Sequence, residues 1–250
     1  MQRPTQDFAD RPPWTRPAFI ASAALVLAVI IAAIIVAVSS LRSDDNNGTG
    51  VSGGPPTSPT PAGPAGSSTP AALPTTIPST APAGVRWELV GQNAVPVSDS
   101  AGPSRISDGT AAGYAHTPEG ALIAAAQLST RAGYSAGRQS WEPTIQQQFE
   151  PGADRDRLLT ALRGAGDAPA GPGELSQIAG YQYQSYTPET AVIGLVFRAP
   201  AAGTPRYHVL SLTLRWRKGD WRMVAPPGGA WTSVNRQTTD LVGVVEWGAR

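Results

Sequence analysis

Uninterrupted hydrophobicity marks one stretch near the start of the chain, Ala18–Val38. This run of 21 residues carries no charge, and Ser22 is its single polar member. At about 1.5 Å per helical residue it spans roughly 32 Å, close to the thickness of a bilayer's hydrocarbon core. We therefore expect residues 18–41 to form one transmembrane helix, with Ala18 to Val38 in contact with the lipid bilayer.

Two alternatives to a retained anchor stay open for this run. A cleaved signal peptide usually has a shorter apolar region, although Ala37-Val38-Ser39 resembles a cleavage site. A buried core helix is the other alternative, because a helix that is apolar all round is buried either in a protein core or in a membrane. Arg3, Arg11 and Arg16 precede the run, so the basic bias predicts a plasma-membrane protein with a cytoplasmic N-terminus and an extracytoplasmic C-terminal domain.

Proline, glycine, serine, threonine and alanine dominate residues 42–84, and no aromatic residue occurs there. Such low-complexity composition buries too little apolar surface to offset the entropy of ordering, so we predict a disordered linker. Together with a short cytoplasmic tail at residues 1–17, it leaves one folded domain at residues 85–250. A passive stalk is the simpler interpretation of the linker, and a spacer for reaching a partner is the alternative.

Helical periodicity occupies the first half of this domain. Threonine, proline and glutamate at 117–119 make a favourable helix start, and apolar residues at helical spacing continue to about Arg131. We predict a second helix from Ser140 and a third over Asp154–Arg163. Ahead of these helices, Val85–Val90 reads as a short strand, and the extended segment that follows, residues 93–103, is expected on the surface.

From Leu175 onward the period changes to two, which predicts an antiparallel sheet. The four strands are expected at Gln177–Thr187, Glu189–Ala199, Arg206–Lys218 and Asp220–Ala225. In the third strand, apolar and polar residues alternate, so one side is covered and the other faces solvent. The C-terminal sequence LVGVVEW is a final strand or a packed arm. Helices followed by antiparallel strands indicate an α+β domain.

By number and order of elements, the domain matches a known architecture, with helices packed on one side of a curved antiparallel sheet. This is the nuclear-transport-factor-2-like (cystatin-like) cone, and the analogy of fold carries no function by itself. A cone of this kind can hold a small molecule. A ligand-binding module of this type predicts a cavity of several hundred cubic ångströms, whereas a filled core would exclude it.

Composition excludes several function classes. The chain has no cysteine, which rules out disulfides, thiol catalysis and cysteine-ligated zinc. Its net charge of +1 argues against nucleic-acid binding. His116 and His208 are the two histidines, and without carboxylates they cannot form a typical zinc site. We interpret His116 as a local hydrogen-bonding residue and His208 as a structural one, and we expect no cofactor.

Three tyrosines, Tyr181, Tyr183 and Tyr186, line one predicted strand, but no aspartate or glutamate lies mid-strand to act as a base. Acid–base catalysis needs a positioned group within hydrogen-bonding reach of the substrate. We therefore expect that the protein is not an enzyme. An enzyme would need a carboxylate or a histidine inside a cavity.

Two passages resemble a known group of proteins. They are Arg86–Arg131, which begins RWELVGQNAVPVSDS, and Tyr186–Gly229, which contains YTPETAVIGLVFRAP and LSLTLRWRKGDWRMVAPPGG. With the anchor and linker, they resemble actinobacterial membrane proteins of unknown function associated with integrative conjugative elements and conjugal transfer. The layout is more distantly similar to TcpC-type assembly factors of type IV secretion systems, which have two nuclear-transport-factor-2-like outer domains where this chain predicts one. The resemblance implies no catalytic residues.

One charged cluster is a candidate contact site. Arg215, Arg217, Lys218 and Arg222 form the basic end of a predicted hairpin, which could meet an acidic partner or lipid headgroups. The pattern favours the simpler interpretation, a solvated strand face whose charges block unwanted pairing. Likewise, the tryptophans at 231 and 247 either mark an interface or cover the sheet.

These observations together predict a single-pass, membrane-anchored extracytoplasmic interaction module that acts as a scaffold. The resemblance implies partners among other membrane or secretion-apparatus proteins, in conjugative transfer or type IV secretion, and is compatible with a homo-oligomer. The alternatives are a small-molecule-binding module that uses the cone as its pocket and, third, an enzyme.

Overall fold

The computed structural model describes residues 72–165, 176–199 and 205–249, which belong to one unit, Ser67–Arg250. The expected transmembrane helix at 18–41 and the first part of the expected linker lie outside these residues. Within the described ranges, no helix combines the length and the hydropathy that a membrane crossing requires. Residues 72–84 contain no helix or strand, and the carbonyl of Thr80 accepts a hydrogen bond from Tyr181 Oη at 2.7 Å.

Two short antiparallel hairpins precede the helices. The first joins β1 (Val85–Val90) to β2 (Asn93–Ser98), and the second joins β3 (Arg105–Ser107) to β4 (Thr110–Ala112). The expectation of a surface segment at 93–103 is wrong, because β2 is almost entirely buried, residues 101–103 are buried as well, and only residues 99 and 100 are exposed. It packs against the first helix, where Gln127 Nε2 donates a hydrogen bond to the carbonyl of Pro96 at 2.8 Å.

Three α-helices follow within the described residues: α1 (Pro118–Arg131), α2 (Arg138–Gln148) and α3 (Ala153–Gly164). Helix α1 starts where the sequence predicts, because Thr117 Oγ1 accepts a hydrogen bond from the backbone N–H of Gly120 at 3.0 Å. Every residue of α1 except Glu119 is buried, and alanines allow the close approach of neighbours on all sides. Helix α2 begins two residues earlier than expected, which places Pro143 in its second turn.

The larger sheet contains six antiparallel strands. They are β5 (Gln177–Thr187), β6 (Thr190–Arg198), β7 (Tyr207–Arg217), β8 (Asp220–Met223), β9 (Asn235–Thr238) and β10 (Val245–Glu246). The main path runs β10-β5-β6-β7-β8, and β9 also pairs with β7. The α+β prediction is therefore confirmed, and the C-terminal sequence supplies both a short final strand and a packed arm.

Strand β5 carries two irregularities in its pairing with β6, between Ile178 and Gly180 and between Tyr183 and Ser185. Each adds one residue to β5 and so reverses the alternation of side chains beyond it. As a result, Tyr181, Tyr183 and Tyr186 all pack on the same core, although a regular strand would place the third on the opposite side.

The two sides of the larger sheet differ. One, called here the inner side, packs against the helices through residues such as Leu195, Leu212 and Leu214. The opposite, outer side is covered at one end, where Val209 belongs to a small second cluster against Leu241 and its neighbours. There the C-terminal arm covers part of the side that alternation predicts to face solvent. Toward the β7–β8 hairpin the outer side stays open.

Candidate functional site

The four basic residues predicted as a candidate contact site lie together in the β7–β8 hairpin, at one end of the sheet. Lys218 and Gly219 form the two-residue turn with positive φ values of 54° and 78°, as the favoured hairpin turns require. Directly across the strands, Arg215 faces Arg222 and Arg217 faces Asp220. Arg215, Arg217 and Lys218 are exposed, whereas Arg222 is partly buried.

The one carboxylate of the hairpin does not neutralise these cations. Asp220 Oδ2 accepts a hydrogen bond from Gly113 N at 2.8 Å, and Oδ1 accepts from Tyr114 N at 3.0 Å and Trp221 N at 2.9 Å. Its charge is thus directed at the backbone ahead of α1. Within the described residues, none of the four basic side chains forms an ion pair.

Arg222 differs from the other three cations. Its Nη1 donates a hydrogen bond to the carbonyl of Gln147 near the end of α2, where the helix dipole favours a cation. Its Nε is buried and has no hydrogen-bond partner. Arg222 therefore connects the hairpin to α2, and the freely exposed charge belongs to Arg215, Arg217 and Lys218.

His116 lies at the N-terminal end of α1 inside an aromatic cluster. Its ring stacks on Trp216 with centroids 3.9 Å apart and meets Trp221 edge-on at 5.9 Å. The Pro188 carbonyl lies 2.6 Å from His116 Nε2, and because a carbonyl only accepts, this nitrogen carries the proton. The geometry agrees with the interpretation of His116 as a local hydrogen-bonding residue.

The three tyrosines of β5 form a continuous row of edge-to-face contacts, with centroids 5.8 and 6.4 Å apart. Tyr183 Oη donates to the carbonyl of Pro118, and burial raises the Tyr183 pKa well above its ordinary value. Burial also raises the pKa of Tyr181 to about 12. The phenols of Tyr181 and Tyr183 stay protonated at neutral pH and donate hydrogen bonds to backbone carbonyls.

A cleft of about 380 Å³ lies at the other end of the helix–sheet interface, beyond the C-terminal end of α1. Phe197 and Leu210 of the sheet supply apolar walls. The polar lining residues are Asn93, Ser129, Thr130, Ser135, Ser176, His208, Trp231 and Asn235. His208, expected to be structural, therefore reaches a cavity, and no carboxylate belongs to the lining that the structure describes.

Some polar groups of the cleft pair with one another. Asn93 Nδ2 donates to Ser135 Oγ at 3.3 Å, and Asn235 Nδ2 lies 3.3 Å from His208 Nδ1. Two buried polar atoms, Thr130 Oγ1 and Trp231 Nε1, have no hydrogen-bond partner among the described residues. Across the described ranges, no group of three or more His, Asp or Glu residues could hold a metal ion.

Trp231 and Trp247, for which the sequence left open an interface or a covering role, differ in burial. Trp247 is buried, with its ring 5.1 Å from Trp87 and 5.6 Å from Tyr181, so it covers the sheet. Trp231 is partly exposed and packs edge-on against Phe149 at 6.4 Å. Sequence reasoning did not single out Thr130 as a site residue, although a Ser-Thr pair at the end of an otherwise alanine- and leucine-rich helix was a usable signal.

Comparison with known protein families adds one finding. The model of a family described as a domain of unknown function (DUF8175) matches residues 50–246. Every strand from β1 to β10 and all three helices fall within that range. No curated protein and no solved structure matches the chain.

Proposed function

The chain belongs to the DUF8175 family, and we propose that it is a membrane-anchored extracytoplasmic protein–protein interaction module of a conjugative-transfer or type IV secretion apparatus. In this proposal Ala18–Val38 anchors the chain in the plasma membrane. Residues 42–84 form the linker, and residues 85–250 form the outer domain. The sequence resemblance described above and the layout of the chain support this assignment.

The observation that carries the proposal is the unneutralised charge of the β7–β8 hairpin. Like charges placed directly opposite on neighbouring strands destabilise a sheet, and Arg215 faces Arg222 in this way. Asp220 is occupied by backbone N–H groups and offers no compensation. Carboxylates from a partner would relieve the repulsion, and guanidinium groups bind carboxylates with two parallel hydrogen bonds.

An acidic protein surface fits this hairpin better than a lipid surface. Segments that bind membrane surfaces combine basic residues with large apolar side chains that enter the acyl region. In the described ranges, the exposed large hydrophobic residues are Leu73, Ile77, Leu89, Ile106 and Val242, and none belongs to the hairpin. We therefore infer a partner that presents clustered aspartates and glutamates.

The nuclear-transport-factor-2-like architecture is part of the same proposal. It is supported by three helices that pack on the inner side of an antiparallel sheet, with α1 enclosed between that sheet and β2. The proposal includes no catalytic role. The one histidine in the described cleft lining, His208, is next to the amide of Asn235 and not next to a carboxylate or a nucleophile.

Crosslinking from the hairpin tests the proposed contact. Because the chain has no cysteine, Lys218→Cys gives the full-length protein one thiol for a photo-reactive crosslinker in the native cell. We expect the crosslinker to capture an acidic component of the transfer or secretion apparatus. The triple variant R215E/R217E/K218C should no longer form this crosslinked product.

A matched control is available on the same side of the sheet. Arg236 on β9 is exposed and lies opposite Val209, at the far end from the hairpin, so Arg236→Glu should leave the product unchanged. Recovery of lipid adducts alone, or of no transfer or secretion protein, would contradict the proposal. A product that survives charge reversal at the hairpin would do so as well.

The proposed topology has its own test. A reporter enzyme that is active only outside the cytoplasm, fused after Arg250, should be active in cells that express the full-length chain. An inactive extracytoplasmic reporter, together with an active cytoplasmic one at the same position, would reverse the proposed orientation.

A further inference from the structure

The cleft at the C-terminal end of α1 has the dimensions of a small-molecule site. Its volume of about 380 Å³ falls within the range of roughly 300–1,000 Å³ that is typical of ligand pockets. Phe197 and Leu210 provide apolar contact on the sheet side, while α1, the β1–β2 turn region and residues near β9 provide polar groups.

Thr130 carries a hydroxyl that the fold leaves without a partner. The residue is 9% exposed, and Oγ1 makes no hydrogen bond within the part of the chain that the structure describes. A threonine or serine in a helix commonly donates to the carbonyl four residues earlier. The preceding residue does so, since Ser129 Oγ donates to Ala125 O at 2.7 Å. A buried hydroxyl that forgoes this bond destabilises the free protein, and a ligand atom would satisfy it.

Trp231 presents a second unpartnered group in the same lining. Its Nε1–H can only donate, so it requires an acceptor atom. Another tryptophan shows the ordinary arrangement, because Trp221 Nε1 donates to the carbonyl of Ala115 at 3.0 Å. Trp231 Nε1 is buried and has no such acceptor in residues 72–165, 176–199 and 205–249.

The lining also defines the charge of an acceptable ligand. No aspartate, glutamate, lysine or arginine belongs to the described lining, so a charged group would lose hydration without gaining a counter-charge. Asn235 Nδ2 lies 3.3 Å from His208 Nδ1, so the side-chain amide contacts one of the two ring nitrogens. Neutral donors therefore predominate.

We propose that this cleft binds a neutral small molecule rich in hydrogen-bond acceptors, of the class of uncharged acetamido sugars. The carbonyl and hydroxyl oxygens of such a molecule satisfy Trp231 Nε1 and Thr130 Oγ1, and its apolar ring face lies against Phe197 and Leu210. The site is separate from the basic hairpin and does not rest on the function proposed for it.

Three probes with the same ring and different charges test the proposal. N-acetylglucosamine is neutral, glucosamine is a cation and N-acetylmuramic acid is an anion at pH 7. Binding is measured by saturation-transfer NMR and calorimetry on the full-length chain, in a detergent whose headgroup is not a sugar. We expect the neutral probe to bind and each charged probe to bind at least about tenfold more weakly, because desolvation is uncompensated.

Two variants locate the site. Trp231→Phe keeps a ring and removes the Nε1–H, and Thr130→Val keeps the shape and removes the hydroxyl. Each should weaken binding of the neutral probe by about three- to tenfold, the usual effect of one hydrogen bond. Thr160→Val is the matched control, since its hydroxyl donates to Asp156 O on exposed α3 and should leave binding unchanged.

Stability of the free protein separates ligand binding from a structural role. Thr130→Val removes an unsatisfied buried hydroxyl, so its thermal midpoint should equal or exceed that of the parent, by up to about 4 °C. Weaker binding in a variant that is no less stable cannot result from unfolding. Absence of N-acetylglucosamine binding overturns the proposal, as does equal binding of the charged probes or insensitivity to both variants. Charge reversal at Arg215 and Arg217 should leave binding unaffected.

Discussion

The two ends of α1 use the same kinds of side chain in opposite ways. At the N-terminal end, Thr117 caps the helix, His116 Nε2 donates to Pro188, and Trp221 Nε1 donates to Ala115. At the C-terminal end, the hydroxyl of Thr130 and the indole N–H of Trp231 have no hydrogen-bond partner in the described ranges. The N-terminal end is called here the closed end, and the C-terminal end, beside the cleft, the open end. One exception at the closed end is Tyr186 Oη, which is buried and has no partner among the described residues.

This difference shows that residue type alone does not decide between a structural and a binding role. A threonine or tryptophan contributes to stability where the fold places a complementary atom within hydrogen-bonding distance. Where the fold places a cleft beside the same side chain instead, its hydrogen-bonding group remains available to a ligand. We therefore expect substitutions at the closed end to cost folding free energy and substitutions at the open end to cost little.

The largest contrast should come from the two tryptophans. Trp221→Ala removes a side chain that is 1% exposed together with its bond to Ala115, and should lower the free energy of unfolding by about 3–5 kcal/mol. Trp231→Ala at a partly exposed position should cost less than about 2 kcal/mol. Urea unfolding of the full chain, followed by circular dichroism, measures both. Equal losses would remove the distinction between the ends.

Glycines at the two ends give the next contrast. A Cβ on Gly120 would lie 2.8 Å from the carbonyl carbon of Ala115 and still closer to its oxygen, so Gly120→Ala should cost about 3 kcal/mol. A Cβ on Gly133 would meet Thr130 O at 3.2 Å, which a small adjustment relieves, so Gly133→Ala should cost about 1 kcal/mol or less. The same unfolding assay applies. A larger loss at Gly133 would contradict our description of the open end.

Asp220 connects the hairpin to the segment that leads into the closed end. Asp220→Ala leaves the N–H groups of Gly113 and Tyr114 without their acceptor and should cost about 2 kcal/mol. Asp99→Ala is the control, because Asp99 is almost fully exposed and pairs with exposed Arg86, so no measurable change is expected. Similar stability of the two variants would show that the Asp220 bonds contribute little.

The smallest effect concerns alkaline pH. Burial raises the pKa of Tyr183 above the value of about 10 of an unfolded chain. A raised pKa contributes stability that is fully present below pH 10 and is lost as pH rises through the folded-state value. Between pH 10 and 11 the parent should therefore lose about 1 kcal/mol more than Tyr183→Phe. Urea unfolding of both proteins at pH 10 and pH 11 measures the two losses. An equal loss of unfolding free energy in the parent and in Tyr183→Phe would contradict the prediction.

Local signals predicted the regular elements well. Threonine, proline and glutamate at 117–119 define the start of α1 because capping depends on adjacent residues. The predicted bounds of β5 match, those of β6 and β7 differ by one residue at each end, and β8 is two residues shorter. Period-two alternation is a property of each strand by itself, which is why it can be recognised without knowing the fold.

Features that depend on distant contacts were missed. Strand β2 contains Pro96 and polar ends, and only its contact with α1 explains its burial. The polar strand β9 forms because one edge of β7 continues beyond β8. The β3–β4 hairpin could have been predicted, since Asp108-Gly109 is a favoured two-residue turn and both residues have positive φ. The cleft requires residues from six separate parts of the chain, so no single stretch indicates it.

The paired irregularities of β5 limit how this strand can change in length. Between them, the strand runs with its alternation reversed, and the second irregularity restores it before Tyr186. Deleting the extra residue at either place would leave a regular strand in which each tyrosine keeps its present partner on β6 and stays on the inner side. Deleting a residue from a regularly paired stretch of β5 would instead turn the side chains beyond it to the opposite side. Shortening of β5 should therefore be tolerated at the two irregularities and not between them.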